Sequence, residues 1–444
     1  MKSIFTLLTI SIIFNLSAQE PKGDRILAWQ IDMAENLNYD SAFAYGVDAC
    51  MESIHLSSTW VDIDTNAGNF DNDYITGILD AINWYYPTMG VKIEYQLAPL
   101  NTNVNTMPAD LVGLAMDDPL VISRFKQTLD TVFSHLDVVE FSALNIGNEH
   151  DIYMGTDAAQ YEEFKVFLDS VVPYAKNLYF DLHGEELIVG TTFTMEGILD
   201  PVKSSLCQDV NDGLDIVTVT YYPQSTTGGT GDESYAAIKA DFEELIALYP
   251  DPAQEIYFSE IGWASSTYLG SSELIQANFF SNLFTVWDEH AEKIPYITIF
   301  KSTDWSSAAV DELADYYGLS DSTFTEFLRT LGLREWDGDG TNKLAYDRIL
   351  CELHVRDWCG TTCASLGVEN QELEITLYPN PSNGIFQYSG INVETVQVFN
   401  SIGQSTLIET DNNTIDLSNF TDGIYLIHFV DQQGNSIVKK VQKI

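Results

Sequence analysis

The sequence predicts an α/β fold, a (β/α)8 TIM barrel followed by a small all-β sandwich domain. Three observations lead to this prediction. Eight strand-like runs alternate with helical patterns between about residues 25 and 305, as in a barrel of repeated βα units. The 444 residues exceed one ordinary domain and suffice for a barrel with a smaller domain behind it. From about residue 365 the chain changes to short alternating strands and tight turns, which are typical of a β-sandwich.

Each predicted barrel strand is a short run of apolar and β-branched residues. In chain order the runs are RILAWQIDM, ACMESIHLSSTW, VKIEYQLAP, VVEFSALNIGNE, ELIVGTTFTM, LDIVTVTYYP, EIYFSEIGW and YITIFKSTDW. Amphipathic segments such as 119–136 and 158–178 lie between them, with apolar residues three and four apart. No Gly-rich phosphate loop follows the first run, which favours a barrel over a dinucleotide-binding sheet.

The first residues of the chain predict a secretory signal peptide over 1–18. Lys2 is followed by a mostly apolar stretch from residue 4 to 16, and Ser17-Ala18 supply small residues for cleavage. No later segment is apolar enough to predict a transmembrane span. The predicted domains are therefore the signal peptide (1–18), the barrel (19–365) and the C-terminal β-domain (366–444).

The charge of the chain limits its partners. The formal net charge of −46 opposes nucleic-acid binding, and it fits a neutral substrate better than a polyanion. Nucleotide-binding and HExxH patterns are missing from the sequence, and the acidic run 337–342 is interpreted as a turn. The sequence therefore predicts neither a cofactor nor a metal site.

The chain contains five cysteines, which an exported protein can use for disulfides. Cys351, Cys359 and Cys363 lie together near the end of the predicted barrel and predict one disulfide there. Cys50 lies in a strand-like run and is interpreted as a small buried hydrophobe. The odd count leaves at least one thiol unpaired.

Two glutamates are the candidate catalytic residues. Glu149 follows the fourth run and Glu260 closes the apolar part of the seventh. Carboxylates at the C-terminal ends of barrel strands can flank a glycosidic bond, one as acid/base and one as nucleophile. We predict Glu149 as the acid/base and Glu260 as the nucleophile. Asn148, directly before the acid, is predicted to bind the sugar 2-hydroxyl.

Aromatic and polar residues near the strand ends are candidates for substrate binding. One of Tyr221 and Tyr222 is expected to hydrogen-bond the nucleophile, because alternation places only one of them inside the barrel. Trp305, just past the eighth run, suits a sugar-stacking platform, and Trp263 is a weaker candidate. His150 follows the acid and is a candidate cleft residue. For each, an ordinary core or surface position is the alternative, and His55 in the second run is interpreted as a core histidine.

These residues resemble clan A of the retaining (β/α)8 glycoside hydrolases, in which an Asn-Glu pair ends strand four and a Glu ends strand seven. Within the clan, LDIVTVTYYP resembles family 53 endo-galactanases, and the segment 260–265 (EIGWAS) resembles family 17 glucanases. The resemblance covers about residues 24–350. It implies a secreted retaining hydrolase that cleaves a neutral β-linked polysaccharide, of the β-galactan, β-glucan or β-mannan type, by double displacement.

The C-terminal segment resembles the sorting domain of the type IX secretion system. The matching stretches are LYPNP at 377–381, NG at 383–384, NSIGQ at 400–404, DLS at 416–418, GIY at 423–425 and the basic pair at 439–440. The resemblance implies the type IX machinery as a partner, and a secreted or cell-surface location.

Two other functions fit the same residues. Many clan members carry an Arg near the end of strand two that supports the nucleophile, and the run MESIHLSSTW lacks it. Either His55 takes its place or the chain belongs to a distant branch of the clan. The first alternative is therefore a non-catalytic carbohydrate-binding surface protein on a TIM-barrel scaffold. The second is a transglycosylase, which shares all the residues named above.

Overall fold

The computed structural model describes residues 20–224, 231–360, 363, 375–389, 393–399, 405–408, 413–431 and 436–444. The predicted signal peptide and the predicted boundary at 365–366 lie outside these residues. The chain divides into two compact units, the first ending at Cys363 and the second beginning at Ala364.

A nearly closed parallel barrel forms the first unit and confirms the predicted fold class. Its strands are β1 (Ile26–Trp29), β2 (Ser53–Thr59), β3 (Lys92–Asn101), β4 (Phe141–Asn148), β5 (Val189–Gly190 with Thr192–Thr194), β6 (Ile216–Tyr221), β7 (Glu255–Ile261) and β8 (Tyr296–Ile299). Strand β1 pairs with both β2 and β8, while the two segments of β5 pair with β4 and β6 respectively. All eight predicted runs thus contain a barrel strand.

Helices follow the strands and cover the outside of the barrel. They are α1 (Tyr39–Asp48), α2 (Trp60–Ile63), α3 (Asn72–Tyr74), α4 (Asp80–Met89), α5 (Pro119–His135), α6 (His150–Met154), α7 (Ala158–His183), α8 (Met195–Leu199), α9 (Ser204–Asn211), α10 (Tyr235–Leu248), α11 (Glu273–His290), α12 (Ser307–Tyr317), α13 (Ser322–Arg329) and α14 (Leu344–Val355). A π-helical segment, Ile75–Leu79, joins α3 to α4, and a 3-10 turn spans Thr267–Leu269. Among these described helices, none is long and apolar enough to cross a bilayer.

Helix α5 shows why the sequence folds this way locally. Asp118 caps its first turn by accepting a hydrogen bond from the Leu120 N–H, and Pro119 occupies the first turn, where its missing N–H does no harm. Its buried face repeats at helical spacing through Val121, Phe125, Leu129 and Val132. That face packs against the barrel and α7, which agrees with the predicted amphipathic pattern.

The inside of the barrel is layered. A small apolar cluster that includes Ala143, Ile216 and Tyr296 fills the N-terminal end of the interior. Two residues further along the same strands stand Asn145, Thr218 and Thr298, which are buried and polar. Because side chains alternate along a strand, these polar residues form the next layer toward the carboxyl ends. The interior thus changes from apolar to polar toward the end where active sites of this fold lie.

The C-terminal unit contains two antiparallel sheets. Its strands are β9 (Thr376–Tyr378), β10 (Ile385–Ser389), β11 (Val393–Phe399), β12 (Ser405–Ile408), β13 (Thr414–Asp416), β14 (Gly423–Asp431) and β15 (Ser436–Lys443). One sheet has the order β9-β10-β13 and the other β12-β11-β14-β15. Both contribute to one apolar core that includes Phe386, Ile415 and Phe429. Of the stretches that resemble a sorting domain, residues 400–404 lie outside the described part of the chain.

The cysteines correct one prediction. Cys351 pairs with Cys363, which is the predicted disulfide near the end of the barrel. Cys50 pairs with Cys359, so its interpretation as a free buried hydrophobe is wrong. The partner lies 309 residues away, and no local pattern around Cys50 could reveal it. Cys207 is the buried free thiol.

We expect the Cys50–Cys359 disulfide to contribute more to stability than the short one. Closing a loop of 309 residues removes more unfolded-chain entropy than closing one of 12. The double variant Cys50→Ser/Cys359→Ser should lose about 2–5 kcal/mol of unfolding free energy, measured by urea denaturation. Cys351→Ser/Cys363→Ser is the matched control and should lose less. The reverse order would contradict this prediction.

Candidate active site

Glu149 lies directly after β4 in a backbone conformation that few non-glycine residues adopt. Its φ is 44°, in the left-handed region, and the loop residue Thr102 after β3 has a φ of 53°. The Thr102 hydroxyl donates to Glu149 Oε2 at 2.9 Å, and the Thr220 hydroxyl of β6 donates to Oε1 at 2.7 Å. Both carboxylate oxygens therefore accept hydrogen bonds, one from the loop after β3 and one from β6. Strained backbone of this kind is found at functional sites.

Burial and the negative charge of Glu260 raise the pKa of Glu149 to about 7. The hydrogen bonds from Thr220 and Thr102 oppose this rise, because they stabilise the ionised form. A carboxyl with a pKa raised into this range exchanges its proton near neutral pH, so Glu149 can donate a proton there and also accept one.

Glu260 lies inside the barrel because of an irregularity in β7. The register between β6 and β7 shifts after Val219, so that Thr220 pairs with Glu260 instead of Ser259. Strict alternation from Tyr257, which belongs to the interior cluster, would place Ser259 inside and Glu260 outside. A bulge of this kind re-aims the side chains that follow it. Glu260 keeps 8% of its surface exposed, and its Oε2 accepts a 2.6 Å hydrogen bond from the Tyr222 hydroxyl.

The environment of Glu260 differs from that of Glu149. Burial raises the pKa of Glu260, but the positive charge of His55 and the Tyr222 hydrogen bond oppose that rise. The charge of Glu260 raises the pKa of Glu149. The two carboxyl groups therefore differ in the charge that acts on them, which is the positive charge of His55 for Glu260 and the negative charge of Glu260 for Glu149.

The two glutamates share one site at the carboxyl ends of the strands. Thr220 connects them, since it pairs in register with Glu260 and its hydroxyl binds Glu149. Burial raises the pKa of Tyr222 and of Tyr317, and the charges of both glutamates raise it further. Both tyrosines therefore lie within electrostatic reach of both carboxylates.

Asn148 and Trp305 also lie at this end of the barrel. The Asn148 amide donates to Asn101 Oδ1 at 3.0 Å, while its own Oδ1 is buried without a hydrogen-bond partner. The Trp305 indole is partly buried, and its ring centroid lies 5.7 Å from that of Phe300. The Lys301 ammonium lies 3.4 Å from the Trp305 ring centroid. Burial lowers the pKa of Lys301 to about 8. The Trp305 ring is thus held by an aromatic contact and a cation–π contact.

Three predicted site residues point away from the glutamates. Tyr221 donates to Asp241 of α10 at 2.7 Å, on the outer side of the barrel. Trp263 is 1% exposed and its indole N–H donates to Ser271. His150 is fully buried between two phenylalanine rings, with ring centroids at 4.4 and 4.3 Å, and burial lowers its pKa to about 3. These are core environments, and they do not favour the substrate-binding roles assigned from the sequence.

The structure adds three residues that the sequence analysis missed, Thr102, Thr220 and Tyr317. Thr220 could have been found, since it lies two residues before Tyr222, which directly follows β6, and alternation therefore turns both to the same side. Thr102 and Tyr317 stand in a loop and at a helix end, where the sequence carries no readable signal. Among the described residues, no cluster of His, Cys, Asp or Glu side chains could hold a metal ion.

The C-terminal unit matches a known family. Residues 376–443 match the secretion system C-terminal sorting domain, Por_Secre_tail. This match confirms the predicted sorting domain. It indicates type IX export to the cell surface or the extracellular space.

The barrel is similar in fold to solved glycoside hydrolases of clan A. A GH5_18 structure from Bifidobacterium longum subsp. longum, in complex with Manβ1-4GlcNAc, has a TM-score of 0.58 at 12% identity, over 75% of this chain and 79% of that one. A GH5_18 structure from Streptomyces cattleya in complex with the same disaccharide has a TM-score of 0.57 at 15% identity, and the match covers 76% of this chain and 82% of that one. The exo-β-1,4-mannosidase Op5Man5 from Opitutaceae bacterium strain TAV5 has a TM-score of 0.54 at 11% identity, and the match covers 74% of this chain and 59% of that one.

These identities are low, so the likeness shows the fold alone. The chain spans 45% of the length of a Bacteroides uniformis β-glucuronidase 2 that it also matches, at a TM-score of 0.48. No curated protein matches the chain by sequence. The finer resemblance to families 53 and 17 finds no support in these matches.

Proposed function

We propose that the first unit is a retaining glycoside hydrolase that acts outside the cell on a neutral β-linked polysaccharide. The observation that carries this proposal is a pair of glutamates in one site whose surroundings differ: a negative charge acts on Glu149 and a positive charge acts on Glu260. Hydroxyl donors hold Glu149, whose pKa is about 7, and Glu260 lies near a positive charge and a tyrosine donor. A retaining hydrolase needs these two roles, a carboxylic acid and an ionised nucleophile.

In the proposed first step, ionised Glu260 attacks the anomeric carbon while protonated Glu149 gives its proton to the leaving oxygen. The glycosidic bond breaks and a covalent glycosyl-enzyme forms on Glu260. Glu149, now ionised, then takes a proton from water, whose oxygen attacks the same carbon and releases Glu260. The charge then returns to Glu260 and the proton to Glu149. We assign to Asn148 the binding of a sugar hydroxyl, because its buried Oδ1 has no hydrogen-bond partner of its own.

The charge of the chain and its fold neighbours both favour a neutral substrate that contains β-linked mannose. The net charge of −46 disfavours polyanionic glycans, so a neutral polysaccharide is the better substrate. Two of the neighbours hold Manβ1-4GlcNAc, and a third is a β-1,4-mannosidase. β-Mannan is therefore the first substrate to test, before β-galactan and β-glucan.

The test is hydrolysis of these three polysaccharides by the exported protein, with product anomers followed by NMR. We expect one class to be cleaved and the β-configured product to appear first. An α-configured first product would contradict double displacement. Binding of a glycan without any cleavage would favour the non-catalytic alternative, and product chains longer than the substrate would favour the transglycosylase.

The two adjacent tyrosines provide an internal comparison. Tyr222→Phe removes the 2.6 Å hydrogen bond to Glu260, so kcat/KM is expected to fall by about 10- to 100-fold, as for loss of a hydrogen bond to a charged group. Tyr221→Phe removes a similar bond to Asp241 on the outside of the barrel. It should leave kcat/KM unchanged within about twofold. Equal losses in the two variants would contradict a direct role for Tyr222.

A further inference from the structure

The eighth βα unit of the barrel contains two helices that the proposed mechanism does not use. Helix α14 is the barrel helix of this unit, since it packs against α11 of the preceding unit. It also places Tyr346 against Trp29 of β1, with the ring centroids 6.2 Å apart. Helices α12 and α13 lie between β8 and α14 in the sequence. They are therefore additional to the repeated βα units.

Helix α12 crosses the carboxyl end of the barrel. It begins at Ser307, shortly after β8, and its last two residues, Tyr316 and Tyr317, contact the loop that follows β3. Strands β1 and β2 lie between β8 and β3 in the barrel, so three strand spacings of about 4.8 Å each separate them. The 11 residues of α12 extend over about 16 Å, which is enough to span that distance.

Two hydrogen bonds fix the end of α12 to the loop after β3. The Asn101 side-chain amide donates to the Tyr316 hydroxyl at 3.1 Å. The Asn103 side-chain amide donates to the Tyr317 carbonyl at 2.8 Å. These four residues form a bridge between the loop after β3 and the segment after β8.

The bridge lies directly beside Glu149. Asn101 accepts the 3.0 Å hydrogen bond from Asn148. Thr102, between the two asparagines of the bridge, donates to Glu149 at 2.9 Å. Since consecutive Cα atoms are about 3.8 Å apart, the contact with the acid and the two contacts with α12 come from immediately adjacent residues.

Packed helices support the bridge on the side of Glu260. Val310 of α12 and Phe327 of α13 are buried in one apolar cluster, which Tyr222 also contacts. The Phe327 ring lies edge-to-face against Tyr222 with the centroids 5.6 Å apart, and Tyr222 binds Glu260. The bridge and its supporting helices are therefore connected to both glutamates by direct contacts.

The order of the strands indicates the path of a bound glycan. In the proposed function, Glu149 after β4 and Glu260 of β7 flank the scissile bond. A chain that passes between them leaves the barrel mouth on the side of β5 and β6 in one direction, and on the side of β1 and β2 in the other. Helix α12 and the bridge lie across the second direction.

We propose that the bridge closes one end of the active site, so that the enzyme cleaves at the end of a glycan chain and acts as an exo-hydrolase. This inference rests on the proposed function and names the part of the substrate that the site accepts. A glycan that continued past the bridge would overlap Tyr316 and Tyr317. Such a clash excludes the middle of a chain and leaves a chain end unaffected.

Blocked oligosaccharides test the proposal. Hexasaccharides of β-mannan, β-galactan and β-glucan are prepared with free ends, with a bulky group on either end, and with both ends blocked. We expect the free form and one singly blocked form to be cleaved, with one short product from the first time point. The other two forms should react at least about tenfold more slowly. Doubly blocked chains cleaved as fast as free ones, or early products of mixed length, would overturn the proposal.

Variants of the bridge should change the ratio of the two rates, for doubly blocked and for free chains. Tyr316→Ala/Tyr317→Ala should raise this ratio at least about tenfold. Asn103→Ala removes only the hydrogen bond to the Tyr317 carbonyl. It should raise the ratio less, and it keeps the test available if the double variant does not fold. Tyr174→Ala, the matched control, removes a tyrosine that binds Asp130 between outer helices and should leave the ratio unchanged. An unchanged ratio in folded bridge variants would refute the role.

Binding of the hexasaccharides to Glu260→Gln, measured by calorimetry, separates this inference from the proposed function. The free form should bind and the doubly blocked form should not. Equal binding of both forms would refute the closed end and leave the hydrolase standing. Selective binding, combined with a wild-type protein that cleaves none of the chains, would refute the hydrolase and leave the closed end standing. No binding of any form would refute both.

Discussion

Glu260→Gln is expected to lower kcat by at least about 10⁴-fold, because a neutral amide can neither attack the anomeric carbon nor stabilise its positive charge. The glutamine is isosteric and can still accept the Tyr222 hydrogen bond, so the fold should persist. Removing a buried negative charge should leave the melting temperature unchanged or raise it. The measurement is initial-rate hydrolysis of the best polysaccharide, together with thermal unfolding.

The matched control for this variant is Glu255→Gln. Glu255 begins the same strand at the opposite end of the barrel and should tolerate the change. In Glu260→Ala, azide should take over the attack on an activated aryl glycoside and give a product of inverted configuration. If Glu260→Gln kept a tenth of wild-type activity, Glu260 would not be the nucleophile.

Glu149→Gln is expected to have the second largest effect, and that effect depends on the leaving group. A sugar leaving group needs protonation, so kcat/KM should fall by about 10²–10⁴-fold. A dinitrophenyl leaving group needs none, so formation of the glycosyl-enzyme should change little. In the wild type, the protonated form of Glu149 is lost as the pH rises through about 7. Activity should therefore decline above that pH, and the decline should be missing from the variant.

Thr220→Val is the control for this interpretation. The Thr220 hydroxyl stabilises ionised Glu149, so its removal should raise the pKa of Glu149 and move the alkaline limb upward. An alkaline limb that persists in Glu149→Gln, or that moves downward in Thr220→Val, would show that another group is the acid.

Much of the fold could be predicted from local patterns. Alternating runs and helical spacing predicted all eight barrel strands, and turn residues predicted the antiparallel C-terminal sheets. Alternation also predicted that only one of Tyr221 and Tyr222 would lie inside the barrel, without saying which; the structure has Tyr222 bound to Glu260 and Tyr221 facing α10. These predictions succeed because periodicity along one strand or helix decides which face is buried.

Other features depend on contacts that are remote in the sequence. Cys50 pairs with a cysteine 309 residues away, and Thr102 reaches Glu149 from a loop after another strand. His150 follows the acid in the sequence but turns into the core, because the helix that begins there packs its ring between Phe164 and Phe193. Sequence neighbours of a catalytic candidate need not share its surroundings.

Residue patterns along the chain were enough to predict a β/α barrel, a sorting domain after it in the sequence, and two glutamates at the ends of strands four and seven. They could not predict that Glu260 faces inward, because the register shift between β6 and β7 overrides the alternation along β7. The same holds for the buried contact between His55 and Glu94, which forms when β2 and β3 come into register. Local patterns fix the period of each strand, but its register, and with it the electrostatic surroundings of each carboxyl group, depends on the strands beside it.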